Sequence, residues 1–359
     1  MVASKNYFIN LDKLRSIAFF LVFWQHSLSK FQINADIFSD LDIFDRFLNR
    51  IIFTGGIGVH LFFVLSGFLI TYLLCLERNK NFEINITFFY LRRALRIWPL
   101  YYLIIFLGTI LLPEISNNFY FNGNFYCHFL FLNNFDIVKS PVGIAWSVAI
   151  EEQFYVLWPI IFIVSKNKLK LVSILLLVLS FCFTYSNNDF SELYYHSFYN
   201  IKYLMAGCLF GLLYHEKNMI LEKILESKLF KLHWIVLLII IFFTIPTLIS
   251  GFYLLCEILL ITMIGLLIVF LVESSNKQNG FLAKTGKYTY GLYLYHPFVI
   301  LGTKTCFDKV GFNYIDSCLV YALLIILSFL MTYFIAYYSY NYFEKYFLKM
   351  KNKYSLVNK

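Results

Sequence analysis

Arg15 and His26 interrupt a stretch near the start of the chain that is otherwise apolar. Their spacing of about three helical turns places both side chains on one helix face, about 16 Å apart. An arginine can hold an anionic group, and a neutral imidazole can take a proton from a hydroxyl near pH 7. Inside a bilayer such residues are costly unless they face protein or water, so they are candidates for function. The alternative is that His26 is an interfacial histidine beside Trp24 and that Arg15 is a snorkelling anchor.

Three arginines, Arg92, Arg93 and Arg96, lie close together in the segment RRALRIWP. Spacings of three and four residues bring helical side chains to one face, so these groups can converge on one anion. Guanidinium forks bind phosphate bidentately, which favours recognition of a phosphate-bearing ligand. Pro99 follows one turn later and can let the helix line a cavity. The alternative is that the arginines only anchor the helix on the cytoplasmic side.

Two adjacent glutamates enter the apolar segment WSVAIEEQFYVLWP. Ser147, Glu151 and Tyr155 are spaced by four residues and share a helix face, whereas Glu152 points about 100° away. Glu151 is therefore the better candidate for a buried role, in which it pairs with an arginine or a histidine. The alternative is that both glutamates lie in the outer headgroup layer.

Two further histidines lie in apolar segments. His296 shares a helix face with Tyr293 and precedes Pro297, which frees a backbone carbonyl one turn back. A structural histidine, hydrogen-bonded to that carbonyl or to a tyrosine, is as good an interpretation as a catalytic one. His60 lies in the segment from Gly55 to Thr71, whose small residues favour close helix approach, and its role stays open.

The composition predicts the elements that must position these residues. The chain is 60% hydrophobic and 14% charged, whereas soluble domains are about half apolar and a quarter charged. We therefore expect an all-α, polytopic integral membrane helix bundle. The apolar segments predict ten transmembrane helices, at 11–29, 52–76, 88–112, 144–164, 169–185, 200–215, 232–250, 252–273, 288–304 and 317–343.

The distribution of charge predicts the topology. If both termini are cytoplasmic, 23 of the 30 lysines and arginines fall on cytoplasmic segments. This favours a multi-pass protein of the cytoplasmic (inner) membrane. The net charge of +9 is then explained by membrane anchoring, and no nucleic-acid partner is expected. The seven cysteines are scattered without metal-ligand spacing, so we predict no metal site.

Five segments, in this order, resemble the acyltransferase-3 family of bacterial membrane acyltransferases. They are the segment 11–15 with His26, and the segments 58–70, 92–99, 146–155 and 288–296. The resemblance implies ten core helices and transfer of an acyl group from cytoplasmic acyl-CoA to a hydroxyl, usually on a surface glycan. It also implies His26 as the catalytic base, the Arg93 and Arg96 pair with Arg15 in the donor channel, and Glu151 in the core network. This chain departs from the family at His60, where aspartate is common.

We thus predict a membrane O-acyltransferase, with acetyl the favoured group, that has acyl-CoA as donor substrate and no tightly bound cofactor. The expected partners are the donor, a glycan acceptor, the lipid bilayer and glycan-assembly proteins. The predicted catalytic residues are His26 and Glu151, and the predicted acyl-CoA ligands are Arg15, Arg92, Arg93 and Arg96. The supporting residues are Trp146, Ser147, Tyr155, Tyr293, His296 and His60.

The predicted organisation is one membrane domain over residues 1–345 and a basic cytoplasmic tail over 346–359, without a fused extracytoplasmic domain. The alternative function is a multi-pass transporter or flippase for a glycan or lipid intermediate, since intramembrane charges and broken helices suit that class equally well. A transporter should show related halves, and no internal repeat is visible in the sequence.

Overall fold

The computed structural model describes residues 8–31, 55–81, 83–115, 121–187, 193–227, 253–274, 280–310 and 318–354. Every regular element within these ranges is a helix. Five helical stretches are long and apolar enough to span a membrane: Gly56–Asn81, Ile86–Glu114, Pro141–Ser186, Leu254–Glu273 and Leu319–Lys351. The predicted class, an all-α membrane helix bundle, is therefore confirmed. The predicted helix at 232–250 lies outside the described residues, so the count of ten stays a prediction.

The described helices are numbered here in chain order. They are α1 (Ile9–Lys30), α2 (Gly56–Asn81), α3 (Ile86–Phe106), α4 (Phe125–Phe129), α5 (Trp146–Ser165), α6 (Leu169–Ser186), α7 (Ser197–His215), α8 (Met219–Glu226), α9 (Tyr253–Glu273), α10 (Phe281–Thr285), α11 (Thr289–Val310), α12 (Cys318–Tyr338) and α13 (Lys345–Asn352). A π-helical segment, Leu107–Leu111, prolongs α3, and a second one, Ser339–Glu344, joins α12 to α13.

Three helices, α1, α7 and α11, are not among the five most apolar stretches, and each carries buried polar side chains. Examples are Asp12 on α1, Lys202 on α7 and His296 on α11. Lipid alone does not accommodate such groups, so these helices must lie against protein. They form the inner part of the bundle, where α1 packs against α2, α10 and α11, and α7 packs against α2, α6 and α9.

Glycines allow α2 and α7 to pack backbone to backbone. A Cβ atom added to Gly67 would lie 2.0 Å from the carbonyl oxygen of Leu204, and one added to Gly207 would lie 2.1 Å from that of Val64. No side chain fits in that space, which is how small residues let membrane helices approach closely. The expectation that the glycine-rich segment serves helix packing is confirmed at Gly67.

The C-terminal helix α13 packs against α3. Arg92 on α3 donates a hydrogen bond from Nη1 to the carbonyl oxygen of Tyr354, at 2.9 Å. The ring of Phe88 meets the ring of Tyr354 at a centroid distance of 5.5 Å. Residues 346–352, which the sequence assigned to a basic tail, thus form part of a helix that is packed on the bundle. The proposed boundary at 345 falls at the first turn of this helix.

Candidate functional site

A cavity of about 560 Å³ lies among α1, α2, α3, α5, α11 and the C-terminal segment. Its size is within the range of small-molecule sites, roughly 300–1,000 Å³. Eight of the twelve predicted site residues line it: Arg15, Arg92, Arg93, Arg96, Ser147, Glu151, Tyr155 and Tyr293. Helices from distant parts of the sequence thus bring these eight side chains to one space.

Carboxylates neutralise two of the cavity's arginines. Nη1 of Arg15 lies 2.5 Å from Oδ1 of Asp12, one turn earlier on α1. Nη2 of Arg92 lies 2.7 Å from Oε2 of Glu77 on α2. Both carboxylates are buried, and a buried charge is tolerated only when it is paired and hydrogen-bonded. These two pairs therefore fix the cavity wall and contribute little net charge.

Four other cations give the cavity its positive charge. They are Arg93, Arg96, Lys287 and Lys351. Within the described ranges, no carboxylate lies at salt-bridge distance from any of the four. The guanidinium carbon of Arg93 lies 5.5 Å from the ring centre of Phe89 and 5.6 Å from that of Tyr155, in cation–π contact with both. The side chain of Arg96 is exposed towards the cavity. Such an arrangement attracts an anionic ligand.

Lys287 and Lys351 line the cavity, although their positions in the sequence did not indicate it. Lys287 lies in the short turn before α11, and Lys351 lies on α13. Both count among the cytoplasmic anchoring charges, and their sequence context does not distinguish them from other anchors. Only the packing of the C-terminal segment against α3 brings Lys351 to the arginines.

Glu151 forms a compact hydrogen-bonded triangle with two hydroxyl groups. Its Oε1 accepts a hydrogen bond from Ser66 at 2.7 Å, and its Oε2 accepts one from Tyr155 at 2.9 Å. The Tyr155 hydroxyl also lies 3.2 Å from that of Ser66. In the described part of the chain, the partners of Glu151 are thus hydroxyls and not the arginine or histidine that the sequence suggested. Ser66 is a further cavity residue that the sequence analysis did not select.

The adjacent glutamate, Glu152, lies outside the cavity and is the more buried of the two, at 6% exposure. Its Oε2 accepts a hydrogen bond from Nε1 of Trp98, at 2.9 Å. The helical-face argument correctly separated Glu152 from Ser147, Glu151 and Tyr155. Glu151 lies inside the bundle, where it lines the cavity, whereas Trp98 on α3 covers Glu152 outside the cavity.

Ser147 and Tyr293 both line the cavity and are hydrogen-bonded to each other. Their hydroxyl oxygens are 2.6 Å apart, which links α5 to α11. On the far side of Tyr293 lies the ring of His296, at a centroid distance of 5.8 Å. Neither His296 nor His26 is among the cavity-lining residues. The predicted base therefore contacts the cavity-lining Tyr293 only through His296.

His26 and His296 form a hydrogen-bonded pair. Nδ1 of His26 lies 2.9 Å from Nε2 of His296, and the rings are nearly parallel, with an interplanar angle of 15°. Nδ1 of the fully buried His296 lies 3.2 Å from the carbonyl oxygen of Leu292. His296 thus bonds to a carbonyl one turn back on its own helix, that of Leu292, whereas the carbonyl that Pro297 leaves without an N–H partner is that of Tyr293. The contact of His296 with His26 was not predicted.

The last two predicted residues, Trp146 and His60, pack near the cavity without lining it. Trp146 is buried against Phe63 and Tyr194, which fixes the start of α5. His60 stacks on Tyr203 at a centroid distance of 3.9 Å. Within the described ranges, neither of its buried ring nitrogens has a hydrogen-bond partner.

Next to His60 lies a buried ion pair between Lys202 and Glu257, with a distance of 2.6 Å from Nζ to Oε2. Lys202 was assigned to an outer segment in the charge count, but it is fully buried. Among the residues that the structure describes, no three histidine, cysteine, aspartate or glutamate side chains converge as a metal site would require.

Comparison with known families gives one match that covers most of the chain. The Acyl_transf_3 family model, described as an acyltransferase domain, matches residues 8–340. This range contains all twelve predicted site residues. It also contains three of the four cations without a carboxylate partner, Arg93, Arg96 and Lys287, whereas Lys351 lies beyond it. No solved structure is significantly similar to the chain.

Three relatives illustrate the similarity. YrhL of Bacillus subtilis (strain 168), named provisionally as a peptidoglycan O-acetyltransferase, is 30% identical over 290 residues, which cover 69% of this chain and 45% of that protein. The peptidoglycan O-acetyltransferase OatA of Listeria monocytogenes serovar 1/2a is 37% identical over 136 residues, or 34% of this chain and 22% of that protein. A Staphylococcus aureus (strain COL) protein, named provisionally as an O-acetyltransferase, is 30% identical over 298 residues, which cover 70% of this chain and 47% of that protein. The chain spans less than half the length of each of these curated relatives.

Proposed function

The chain belongs to the Acyl_transf_3 family of acyltransferases, and we propose that it is a membrane O-acetyltransferase that moves an acetyl group from acetyl-CoA to a hydroxyl of an extracytoplasmic glycan. Family membership favours acyl transfer over the transporter interpretation. Two of the relatives are named for peptidoglycan, so peptidoglycan is the first acceptor to test.

The observation that carries the proposal is the arrangement of charge along the cavity. Four cations without a carboxylate partner in the described chain lie in a cavity that is also lined by Tyr293, whose ring lies beside that of His296. Coenzyme A carries several phosphate groups on a long polar arm, and guanidinium and ammonium groups bind phosphate. The phosphates would be held by Arg93, Arg96, Lys287 and Lys351 while the arm extends towards Tyr293.

His26 serves as the general base in the proposed reaction. The oxygen of the acceptor hydroxyl attacks the thioester carbonyl carbon, and its proton passes to His26. The carbon–sulfur bond then breaks, and the leaving sulfur takes the proton back from His26. The products are the acetyl ester and the CoA thiol, and the imidazole is neutral again. Because Tyr293 lines the cavity and its ring lies beside that of His296, the thioester arm must pass Tyr293 to reach His26.

Transfer by the purified protein tests this function. The protein in detergent is given radiolabelled acetyl-CoA and a muropeptide acceptor, and ester formation is followed by mass spectrometry. We expect transfer by the wild-type protein and almost none by His26→Gln, because an amide does not take a proton near pH 7. His215→Gln is the matched control, since His215 lies at the end of α7 and bonds to Asn79, away from the cavity. Near-normal transfer by His26→Gln would rule out this role for His26.

We also propose a multi-pass topology in the cytoplasmic membrane, with both termini and the cationic end of the cavity cytoplasmic. The distribution of lysine and arginine supports it. Single cysteines placed at Asn122 and Lys353, in a background whose native cysteines are serine, test it. Both positions are exposed. An impermeant thiol reagent added to intact cells should label the cysteine at 122 and not that at 353. Labelling of both positions in intact cells would overturn the topology.

A further inference from the structure

The hydrogen bonds of His296 determine which ring nitrogen of His26 carries the proton. We propose that His296 is a positioning residue that holds His26 in the tautomer with its proton on Nδ1, so that Nε2 is the atom that accepts the proton from the acceptor hydroxyl. The inference rests on the proposed function, because it assigns a task to the partner of the proposed base. The hydrogen-bonding geometry on which it depends is independent of the reaction.

The assignment starts from the carbonyl oxygen of Leu292, which can only accept a hydrogen bond. His296 Nδ1 lies 3.2 Å from this oxygen, so Nδ1 must be the protonated nitrogen. A neutral imidazole carries one N–H, which leaves Nε2 of His296 as an acceptor. In the 2.9 Å hydrogen bond between the two rings, Nδ1–H of His26 must then be the donor and Nε2 of His296 the acceptor. The second nitrogen of His26, Nε2, keeps a lone pair.

The surroundings of His296 favour its neutral form. The side chain is 0% exposed, and it lies against the rings of Phe19 and Phe23, at centroid distances of 5.7 and 6.1 Å. The other ring beside it is that of Tyr293. An imidazolium ion at this position would lose its hydration, and no carboxylate within the described ranges forms an ion pair with it. A neutral His296 can therefore act as an acceptor towards His26.

His26 itself is half-buried, and no described residue is hydrogen-bonded to its Nε2. When Nε2 takes the acceptor proton, the resulting imidazolium still donates from Nδ1 to His296, so the hydrogen bond persists through the step. In the opposite tautomer Nε2 would carry a hydrogen and could not act as a base. An orienting partner that excludes the wrong tautomer is the task that a third residue performs in catalytic triads.

Two variants separate this role from simple packing. His296→Phe keeps a ring in the buried site and removes the acceptor, so we expect kcat to fall about 10- to 100-fold. His296→Gln offers an amide oxygen to His26 and an amide N–H to Leu292, so it should restore most of the lost rate. The KM for acetyl-CoA should change less than about 2-fold in both variants, because His296 does not line the cavity. His215→Gln again serves as the control.

A spectroscopic measurement on the wild-type protein decides the point even if His296→Phe does not fold. The protein is labelled with ¹⁵N-histidine, and the signals of His26 are assigned by their loss in His26→Gln. We expect a protonated Nδ1 and an unprotonated Nε2 at neutral pH. The reverse assignment, or a wild-type rate in a folded His296→Phe, would overturn the inference and leave the proposed function standing. Failure of the wild-type protein to transfer acetyl groups would instead overturn the proposed function, while the tautomer could still be measured.

Discussion

Ser147 on α5 and Tyr293 on α11 share a 2.6 Å hydrogen bond in the wall of the cavity, next to His296. A hydrogen bond of this kind contributes about 0.5–1.5 kcal/mol net, which corresponds to about 2- to 12-fold in an equilibrium between closed and open forms. Ser147→Ala and Tyr293→Phe each remove it. We expect both variants to raise the ratio of acetyl-CoA hydrolysis to transfer by that factor, because water reaches the thioester more often.

The ratio is measured as CoA thiol release without and with acceptor. Thr303→Val is the control, since it removes a hydrogen bond to Val299 within α11 and leaves the cavity unchanged. An unchanged ratio of hydrolysis to transfer in both variants would show that this hydrogen bond does not keep water from the thioester.

Arg96 should dominate donor affinity, because it is the most exposed of the arginines that face the cavity. A charge-assisted contact with phosphate contributes about 1.5–3 kcal/mol, so Arg96→Ala should weaken acetyl-CoA binding about 10- to 150-fold. Arg96→Lys keeps the charge but loses the bidentate fork and should be intermediate. Isothermal titration calorimetry in detergent gives the affinities. Arg78→Ala is the matched control, since Arg78 lies over the ring of Phe162 and outside the cavity. Equal affinities in Arg96→Ala and Arg78→Ala would show that Arg96 is only an anchor.

Glu151→Gln should slow transfer without weakening donor binding. The substitution removes a negative charge from a cationic cavity, so acetyl-CoA should bind as tightly as before or a few-fold more tightly. The amide nitrogen can only donate, so the hydroxyl of Ser66 or Tyr155 that faces it must accept instead of donate, and the cavity wall becomes less ordered. We expect kcat to fall about 10-fold or more, by analogy with the loss of a supporting contact in other sites.

The matched control is Glu152→Gln, on the next position of α5. Glu152 accepts its hydrogen bond from Trp98 outside the cavity, and a glutamine oxygen can accept it equally well. Affinity and kcat should stay within about 2-fold of wild type. A similar loss of kcat in both variants would indicate a general effect on α5 and would contradict a specific role for Glu151.

Substitution of Lys351 tests whether the C-terminal helix contributes to acetyl-CoA binding. It faces the cavity from α13, so Lys351→Ala should weaken acetyl-CoA binding about 2- to 5-fold, less than Arg96→Ala because a lysine is a partly screened point charge. Lys349→Ala, on the exposed side of the same helix, should leave the affinity unchanged. A weaker affinity in Lys349→Ala as well would point to a non-specific effect of charge at the membrane surface.

Local patterns predicted the helices and their faces well. Apolar segments gave α1, α2, α5 and α9 within a few residues, because length and hydropathy are properties of the segment itself. The spacing of four residues put Ser147, Glu151 and Tyr155 on one face, and all three line the cavity. The three-residue spacing of Arg93 and Arg96 likewise put both side chains on one face of α3.

Contacts between helices could not be predicted in this way. His26 and His296 pair across 270 positions of sequence, and nothing near either residue indicates the other. The burial of Glu152 depends on Trp98 from a different helix. Ser66 and Lys351 reach the cavity only through the way in which α2 and α13 pack. Helix packing thus determined the partners, whereas the sequence determined which face each residue occupies.

The cavity takes Arg15 from the first described helix and Lys351 from the last. A ribosome delivers α1 to the membrane well before it has made α13. The cavity is therefore incomplete until α13 has been made, and a nascent or interrupted chain lacks the charge of Lys351. In the proposed function, only a chain synthesised through α13 would therefore carry all of the cations that bind acetyl-CoA.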